Sequence, residues 1–509
     1  MSAVGSIVTN TGALTALNSL TNTTSTTNNL ENQLSTGLSI NSPADNPAGY
    51  ITAQGFTSQI NGLTQAVSNA NQGVSLLQTA DGALTQQVGI VQQLNTIAVQ
   101  AANGTQTSAE SQSLQSETSQ LVSQVSTIAG QTQFNDVNLL NGTFQGVQLQ
   151  VGANEGQTMS LSIGSTMASA IGMYATKASS SVYKTGKSGS GVVTTGTAGT
   201  PPTPPAGAFT AGTLNITGAN GTTKAITVAG TAGAASTESA ASIAAAVNNQ
   251  SASTGVQAQA TNTLTLTGSK TGNYSFTIGA GTGSGTSSAV GKAVTVNASS
   301  LSELVSQING GTTSNGISAT LSSSGTAITL TQANGDNISI TNASTAASAT
   351  ALKTNGATTV SIGGTGNSAS ALVQGQVQLQ SSGAFSTSVP ATGGANIGES
   401  NNSTLNSLAD INVSTTAGAN SAMNVIKYAL AGLNNQGGQL GAVQQSLTAN
   451  INNMNTTSTN LNSALGVVQD ANIPSVSTKL TEAQIQAQSG VAALKSSTQL
   501  QQAYVSLLP

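Results

Sequence analysis

The sequence contains no cysteine, histidine or tryptophan in 509 residues, and all ten of its basic side chains are lysine. Without Cys or His there is no zinc site of the usual ligand sets, no iron–sulfur cluster and no Ser-His-Asp or Cys-His machinery. Disulfides are excluded with them. The absence of arginine and the net charge of −4 argue against a phosphate-binding or nucleic-acid-binding surface. Only 5% of residues are charged, where soluble proteins carry about 25%. No apolar run reaches the ~18 residues of a membrane-spanning helix. Met1 to Thr9 lacks the basic and apolar regions of a secretory signal, so none is expected.

What the chain does have is glycine, 57 residues of it, and 37% hydrophobic residues dominated by Ala, Leu, Ile and Val. Its length is that of about three or four domains. A surface of Ser, Thr, Asn, Gln and Gly with so little charge suits a protein that touches copies of itself, since net charge is what keeps proteins apart.

The hydrophobic pattern divides the chain. Ile60, Leu63, Val67, Ala70, Val74, Leu77, Asp81, Leu84, Val88 and Val91 alternate at spacings of three and four, the seam of a coiled coil. With Pro47 as one boundary and Asn103-Gly104 as the other, they predict one helix of roughly 50 residues, about 75 Å long. A shorter helix follows, with Leu114, Leu121, Val125 and Ile128 on one face. Toward the other end Ile426, Leu430, Leu433, Gly437, Leu440, Gln444, Leu447, Ile451, Met454, Ser458, Leu461, Leu465 and Val468 repeat the spacing. Pro474 is expected to end that helix, and Val476, Leu480, Ala483, Ala487, Val491 and Leu494 mark a last one.

Ile7, Leu14, Leu17, Leu20, Leu30, Leu34 and Leu38 are spread through a tract rich in Thr, Ser and Asn. Burying each contributes about 1.5–3 kcal/mol, against about 1–2 kcal/mol of backbone entropy for every residue ordered. Residues 1–42 and 474–509 are therefore expected to be disordered in the free monomer and to become helical only when packed together in an assembly. Val147, Leu149 and Val151, then Met159, Leu161 and Ile163, alternate around Asn154-Glu155-Gly156 and predict a β-hairpin.

Residues 178–404 alternate apolar and polar side chains. They open on a breaker stretch, Lys184 to Thr200, and a run from Pro201 to Pro205 that reads as a stiff linker. Ile243, Val247, Gly255 and Val256 recur as Leu304, Ile308, Gly316 and Ile317, 61 residues on; Tyr274 and Phe276 recur as Ile338 and Ile340 at an offset of 64. Asn220-Gly221 and Asn334-Gly335 are predicted hairpin turns. The four acids of this region, Glu238, Glu303, Asp336 and Glu399, offer little for a glycosidase pair. Glu238 and Glu303 precede matched helices, where they complement the helix dipole. No catalytic, cofactor-binding or metal-binding residue is expected.

The expected fold is mainly α with a β insertion: a long antiparallel coiled-coil rod made from both chain ends, plus β-rich (α+β) outer domains in the middle. The expected division is a terminal helix at 1–42 pairing with 474–509, a helical rod from 43–177 and 405–473, and a variable middle, 178–404, with repeats at about 210–280 and 290–342.

Several stretches resemble bacterial flagellin. They begin with Leu34-Ser35-Thr36-Gly37-Leu38-Ser39-Ile40-Asn41-Ser42, followed by Asp45 and Ala48-Gly49. Next come Gly62-Leu63-Thr64-Gln65-Ala66, Asn69-Ala70-Asn71 and Gln78-Thr79-Ala80-Asp81-Gly82-Ala83-Leu84. Ala98-Val99-Gln100-Ala101-Ala102-Asn103-Gly104, Gly130-Gln131-Thr132-Gln133-Phe134-Asn135 and Gln150-Val151-Gly152-Ala153-Asn154-Glu155-Gly156 keep the family's order. Gln484-Ile485-Gln486-Ala487-Gln488-Ser489-Gly490 and Leu507-Leu508 resemble its C-terminus.

The resemblance implies a structural subunit that self-assembles into the flagellar filament used for swimming. It implies paired terminal helices in the filament core, and filament cap, hook-associated junction proteins, an export chaperone and the flagellar export apparatus as partners. The location implied is extracellular, reached by the flagellar type III pathway without a cleaved signal peptide. It carries no cofactor, no nucleic acid and no membrane insertion. A hook–filament junction protein is the alternative, and a filament subunit with an enzymatic or adhesive middle a further one. The seam residues expected to carry self-assembly are Leu14, Leu17, Leu34, Leu38, Ile60, Leu63, Val67, Val74, Leu77, Leu84 and Val88, with Leu447, Ile451, Met454, Leu461, Leu465, Val476, Leu480, Val491 and Leu494. Gln93, Ile97 and Glu117 fall where the family presents a surface to innate receptors. Many members carry Arg at the positions of Gln93 and Asn95, so the surface departs from theirs. Ser39, Asn46 and Pro474 are further departures.

Overall fold

The structure is a computed structural model that describes residues 10–176, 193–196, 212–228, 239–281, 291–311, 315–342, 352–354, 361–362, 370–373, 375–388 and 402–506. Helices α1 (Thr11–Thr36), α2 (Pro47–Ala101) and α3 (Ser108–Gln131) come first. The short α4 (Ala240–Asn248), α5 (Ser251–Thr254) and α6 (Leu301–Gly310) lie among strands, and α7 (Thr416–Gln469) and α8 (Ile473–Ser506) close the chain. Helical ends and a β-rich middle are thus as expected. The chain separates into two compact units, residues 1–79, 145–162 and 440–509 in one, 80–144 and 163–439 in the other.

In the first unit, α1 crosses the Thr/Ser/Asn tract without a break. Thr15, Thr21, Thr23, Thr24, Thr26 and Thr27 each donate their hydroxyl to the carbonyl four residues back, at 2.8–2.9 Å. Side chains that otherwise compete with the helix are thereby satisfied inside it. Gly37, at φ +75°, ends the helix in the left-handed conformation. Helix α7 stops at Gln469, before Pro474. The expectation that Pro474 ends it is corrected: Pro474 sits in the first turn of α8, where no N–H is required, and the Asn472 Oδ1 accepts from the Ser475 N–H at 3.2 Å. The strands Val147–Gln150 and Thr158–Leu161 pair antiparallel as the predicted hairpin. A Cβ added to Gly73 would come within 2.6 Å of Leu149, and one at Gly62 within 2.9 Å of Ala153, so these glycines let the hairpin seat on α2.

The seam of α2 is phased differently from the expectation. Its buried series runs Leu63, Ala66, Ala70, Gly73 and Leu77 in the first unit, then Ala80, Leu84, Gln87, Val91, Leu94, Ala98 and Ala101 in the second, with Ala53, Ile90 and Ile97 buried outside it. This is again a strict alternation of three and four, but Ala66, Gly73, Ala80, Gln87 and Ala101 put small or polar residues at every second position except Leu94. Val67, Val74 and Val88 sit half-buried at its edge, and Asp81, expected in the seam, faces solvent. Small residues permit closer helix approach, and an ionised carboxylate stays in water.

In the second unit, the strands Gly291–Ser300, Thr271–Gly281, Asn337–Asn342, Ser370–Val373 and Val193–Gly196 form one sheet in that order. Another runs Ile317–Leu321, Ala327–Gln332, Val256–Thr267, Gln376–Ser381, Gly172–Ala175 and Thr404–Ser407. Leu264, Leu266, Ile328 and Leu330 of the latter pack with Tyr274, Phe276, Ile278, Val296, Ile338 and Ile340 of the former, and with Leu301, Leu304 and Ile308 of α6. A second core joins Leu214, Ile216, Ile226 and Val228 to Ile243 and Val247 of α4 and to Val256, Ala258 and Ala260. The strand Val256–Thr267 therefore serves both cores.

The repeat at an offset of 61 is structural in detail. Ser239 and Ser300 cap α4 and α6. The Asn248 side chain bonds both the N–H and the C=O of Ala258, at 2.8 and 3.0 Å, and Asn309 does the same to Ala319, at 2.7 and 2.9 Å. Gly255 and Gly316 share φ +69°. Two expectations change. Asn220-Gly221 turns a hairpin between Gly212–Thr217 and Thr223–Val228, but Asn334-Gly335 does not: the strands it joins belong to different sheets. Glu303 does not precede its helix but lies in the first turn of α6, accepting from the Ser299 N–H at 2.8 Å, while Glu238 lies outside the described residues. Within the expected breaker stretch, Val193–Gly196 is a strand; the expected linker, Pro201 to Pro205, lies outside the described residues.

Candidate functional site

The feature that stands out in the first unit is the pairing of the two chain ends. Helices α1 and α8 run antiparallel: Asn10, which caps α1 by accepting from the Ala13 N–H at 2.9 Å, also donates to the Ser497 carbonyl at 3.3 Å and to Gln501 at 3.1 Å. At the opposite end Leu30 packs with Val476 and Ala483. Both segments are helical and pack against each other within one chain. The segments that connect this pair to α2 and α7 are tied together. Leu38 bridges Asp470, the Ser39 N–H donates to the Gln469 carbonyl at 2.7 Å, and the Ala471 N–H donates to the Gly37 carbonyl at 2.9 Å.

Beside that tie, Asp45 accepts from the backbone N–H groups of Asn41 and Ser42 at 3.0 and 2.7 Å, and from the Ser42 hydroxyl. These bonds, the Ser42 N–H first, hold its carboxyl below the usual carboxylate range. Asn46 caps α2 by accepting from the Gly49 N–H at 3.0 Å.

Leu30, Val476 and Ala483, with Leu480, make the apolar α1–α8 contact, while other large side chains of the pair stay exposed. Leu14 is 50% exposed, Leu17 48%, Leu34 38% and Val491 53%, joined by Ile485 and Leu500. Of the other seam residues, Leu38, Leu480 and Leu494 are half-buried and Val476 buried. Leu63, Leu77, Leu84, Leu447 and Met454 are buried, and Ile60, Val67, Val74, Val88, Ile451, Leu461 and Leu465 half-buried. These positions stabilise α2 and α7 internally, so the list drawn from periodicity mixes two groups: residues that close the fold and residues left open. Sequence reasoning missed Ile485 and Leu500, which fall off the seam of α8; the absence of any burying partner is what marks them.

The suggested receptor surface is corrected at one position. Gln93 and Glu117 are exposed, but Ile97 is buried in the second unit and offers no side chain to a partner. Among the described residues no group of three or more Asp and Glu could hold a metal, and no helix is long and apolar enough to cross a membrane.

Such an arrangement defines a class: a largely α-helical chain whose two ends pair in one unit and whose β-rich middle belongs to the other. Two family models match, the bacterial flagellin N-terminal helical region over residues 7–145 and the bacterial flagellin C-terminal helical region over residues 423–508. The B-type flagellin of Pseudomonas aeruginosa is 32% identical over 98% of this chain and 99% of its own length. A flagellin of Xenorhabdus nematophila is 39% identical over 31% of this chain, and that match spans half of its own length. The solved FliC of Burkholderia pseudomallei shares 19% identity, covering 74% of this chain and 99% of that one, with a TM-score of 0.28. The chain belongs to the bacterial flagellins, a family of filament-forming structural proteins.

Proposed function

We propose that this chain is the main subunit of a flagellar filament, and that the α1–α8 pair is its assembly element. The observation that carries this reading is the set of large apolar side chains left open on the pair, Leu14, Leu17, Leu34, Ile485, Val491 and Leu500. Large exposed apolar patches mark interaction sites, and second copies of the same pair are complementary in chemistry: uncharged, apolar and rod-like. In this reading the domain scheme runs from a core helix pair through a helical rod to a solvent-facing middle.

The finer partners follow from the same reading. The cap and the hook-associated junction proteins meet the filament's two ends, and a chaperone and the export apparatus handle the chain before assembly outside the cell. Support for a role without catalysis comes from the lack of His, Cys and Arg. The test is seeded growth: short filament fragments incubated with purified protein should elongate, as seen by electron microscopy. Failure to elongate across salt and pH would overturn the main-subunit reading in favour of a junction protein.

A further inference from the structure

The sequence contains eight Asn-Gly pairs, at Asn61, Asn103, Asn141, Asn220, Asn309, Asn315, Asn334 and Asn355. An asparagine before glycine is the chemically weakest peptide position in a chain without cysteine, because glycine has no Cβ to shield its backbone nitrogen. The structure treats these pairs unequally. Asn61-Gly62 lies inside α2, where the glycine N–H belongs to the helix. Asn309 is held at both ends of its amide by Ala319. Asn315 is 7% exposed and held by Ile317 and Ile278. The N–H groups of Gly221 and Gly335 are bonded to the Gly218 and Gln332 carbonyls, at 3.0 and 3.2 Å. Asn355 lies outside the described residues.

Two pairs remain. At Asn141-Gly142 the Asn141 Oδ1 is fixed by both the N–H and the hydroxyl of Thr143, at 3.0 and 2.7 Å. Gly142 is at φ +92°, and Ser165 stands 3.0 Å from where a Cβ would be. At Asn103-Gly104, in the turn between α2 and α3, both residues are exposed. Nothing lies within 4 Å of the Cβ position on Gly104, and its N–H has no partner. The Asn103 side chain has one long contact, from the Thr105 N–H to Oδ1 at 3.3 Å, which polarises the carbonyl without locking the rotamer.

We propose that Asn103 is a site of non-enzymatic deamidation. Solvent base removes the Gly104 amide proton, and the nitrogen attacks the Asn103 Cγ. The new C–N bond closes a five-membered succinimide as the Cγ–Nδ2 bond breaks and ammonia leaves. Water then opens either carbonyl, leaving aspartate or isoaspartate, so that Asn and water become Asp and ammonia with no oxidant or reductant. The product adds a carboxylate to an arm, residues 1–176, that holds seven acids and no basic side chain. The isoaspartate form also lengthens the backbone where the Gln106 N–H meets the Asn103 carbonyl at 3.3 Å. In a long-lived filament the change would accumulate with age; that consequence rests on the filament reading, whereas the chemistry does not.

The test is incubation of the full folded chain at mildly alkaline pH, with tandem mass spectrometry locating each gain of about 1 Da. The expected result is conversion at Asn103 at least about tenfold faster than at Asn61, Asn141, Asn220, Asn309, Asn315 or Asn334, with Gly104→Ala slowing it about tenfold. The same chain in denaturant should convert these pairs at similar rates, which shows that the fold makes the choice. Conversion at Asn141 or any other of them as fast as at Asn103 in the folded chain would overturn the proposal, and so would an intact Asn103 while others convert. Loss of seeded growth bears on the filament reading alone.

Discussion

The α1–α8 pair and the β core of the second unit solve the same problem with opposite means. The core buries Phe276, Leu304, Ile317, Ile328, Leu330, Ile338 and Ile340 completely. The terminal pair runs through 26 and 34 residues of helix, but among the described residues it buries only Leu30, Val476 and Ala483, while Leu14, Leu17 and Val491 stay in solvent. Because helical stability in proteins comes mostly from packing of one face, the core is self-sufficient and the pair is unfinished. The lesson is that apolar content alone does not separate the two; what separates them is whether the large side chains find partners within the chain.

The sharpest way to break this contrast is to remove the pair. A chain lacking residues 1–42 should form no filaments under electron microscopy while the circular dichroism of its β-rich unit is retained. If it still polymerises, the pair is not the assembly element. Next in size, Phe276→Ala should destabilise the second unit by about 3–5 kcal/mol in denaturant titrations. The paired substitution Leu14→Ala should change the stability of the free chain by no more than about 0.5 kcal/mol and show itself only as slower seeded growth. Asn309→Ala, which leaves both Ala319 backbone groups without their partner, should cost about 1–3 kcal/mol, and Asn248→Ala about the same if the repeats are energetically equivalent.

The smallest effects are those of pH. Burial pushes the Tyr428 hydroxyl up to about 12. A raised value means that the folded state favours the neutral phenol. Its contribution is whole below the ordinary tyrosine value of about 10 and is lost as pH rises from there through about 12, read as alkaline unfolding of the second unit. Asp45 behaves in the opposite sense. Its lowered value means that its bonds to Asn41 and Ser42 stabilise above the ordinary carboxylate value and are lost only as pH falls below about 4. Mild acid should therefore leave the first unit folded; circular dichroism showing it melt above that range would count against the assignment.

Much of this was legible in the sequence, for identifiable reasons. The long helices were readable because alternation at three and four is maintained across Leu63, Ala70, Leu77, Leu84 and Val91. The phase of their other half was not, because hydrophobicity ranks Val67, Val74 and Val88 above Ala66, Gly73 and Gln87, while close helix approach favours Ala66 and Gly73. Inside, Gln87 donates to the Val125 carbonyl at 2.9 Å, a partner that periodicity cannot show, while its Oε1 is buried without one among the described residues. The repeat was readable from identities at a fixed offset. The sheet change at Asn334-Gly335 was not, since a left-handed glycine reports a turn and says nothing about which sheet receives the next strand. The open residues of the pair were half legible: Leu14, Leu17, Leu34 and Val491 were marked, but as members of a seam rather than as its outer face.

The backbone tie at Leu38 and Asp470 has a mechanical meaning. The two connecting segments are stitched to each other by Ser39 to Gln469 and Ala471 to Gly37, so a pull on either chain end loads both connectors in parallel. A force entering at one end of the chain is therefore shared between two strands of backbone where the helix pair joins α2 and α7.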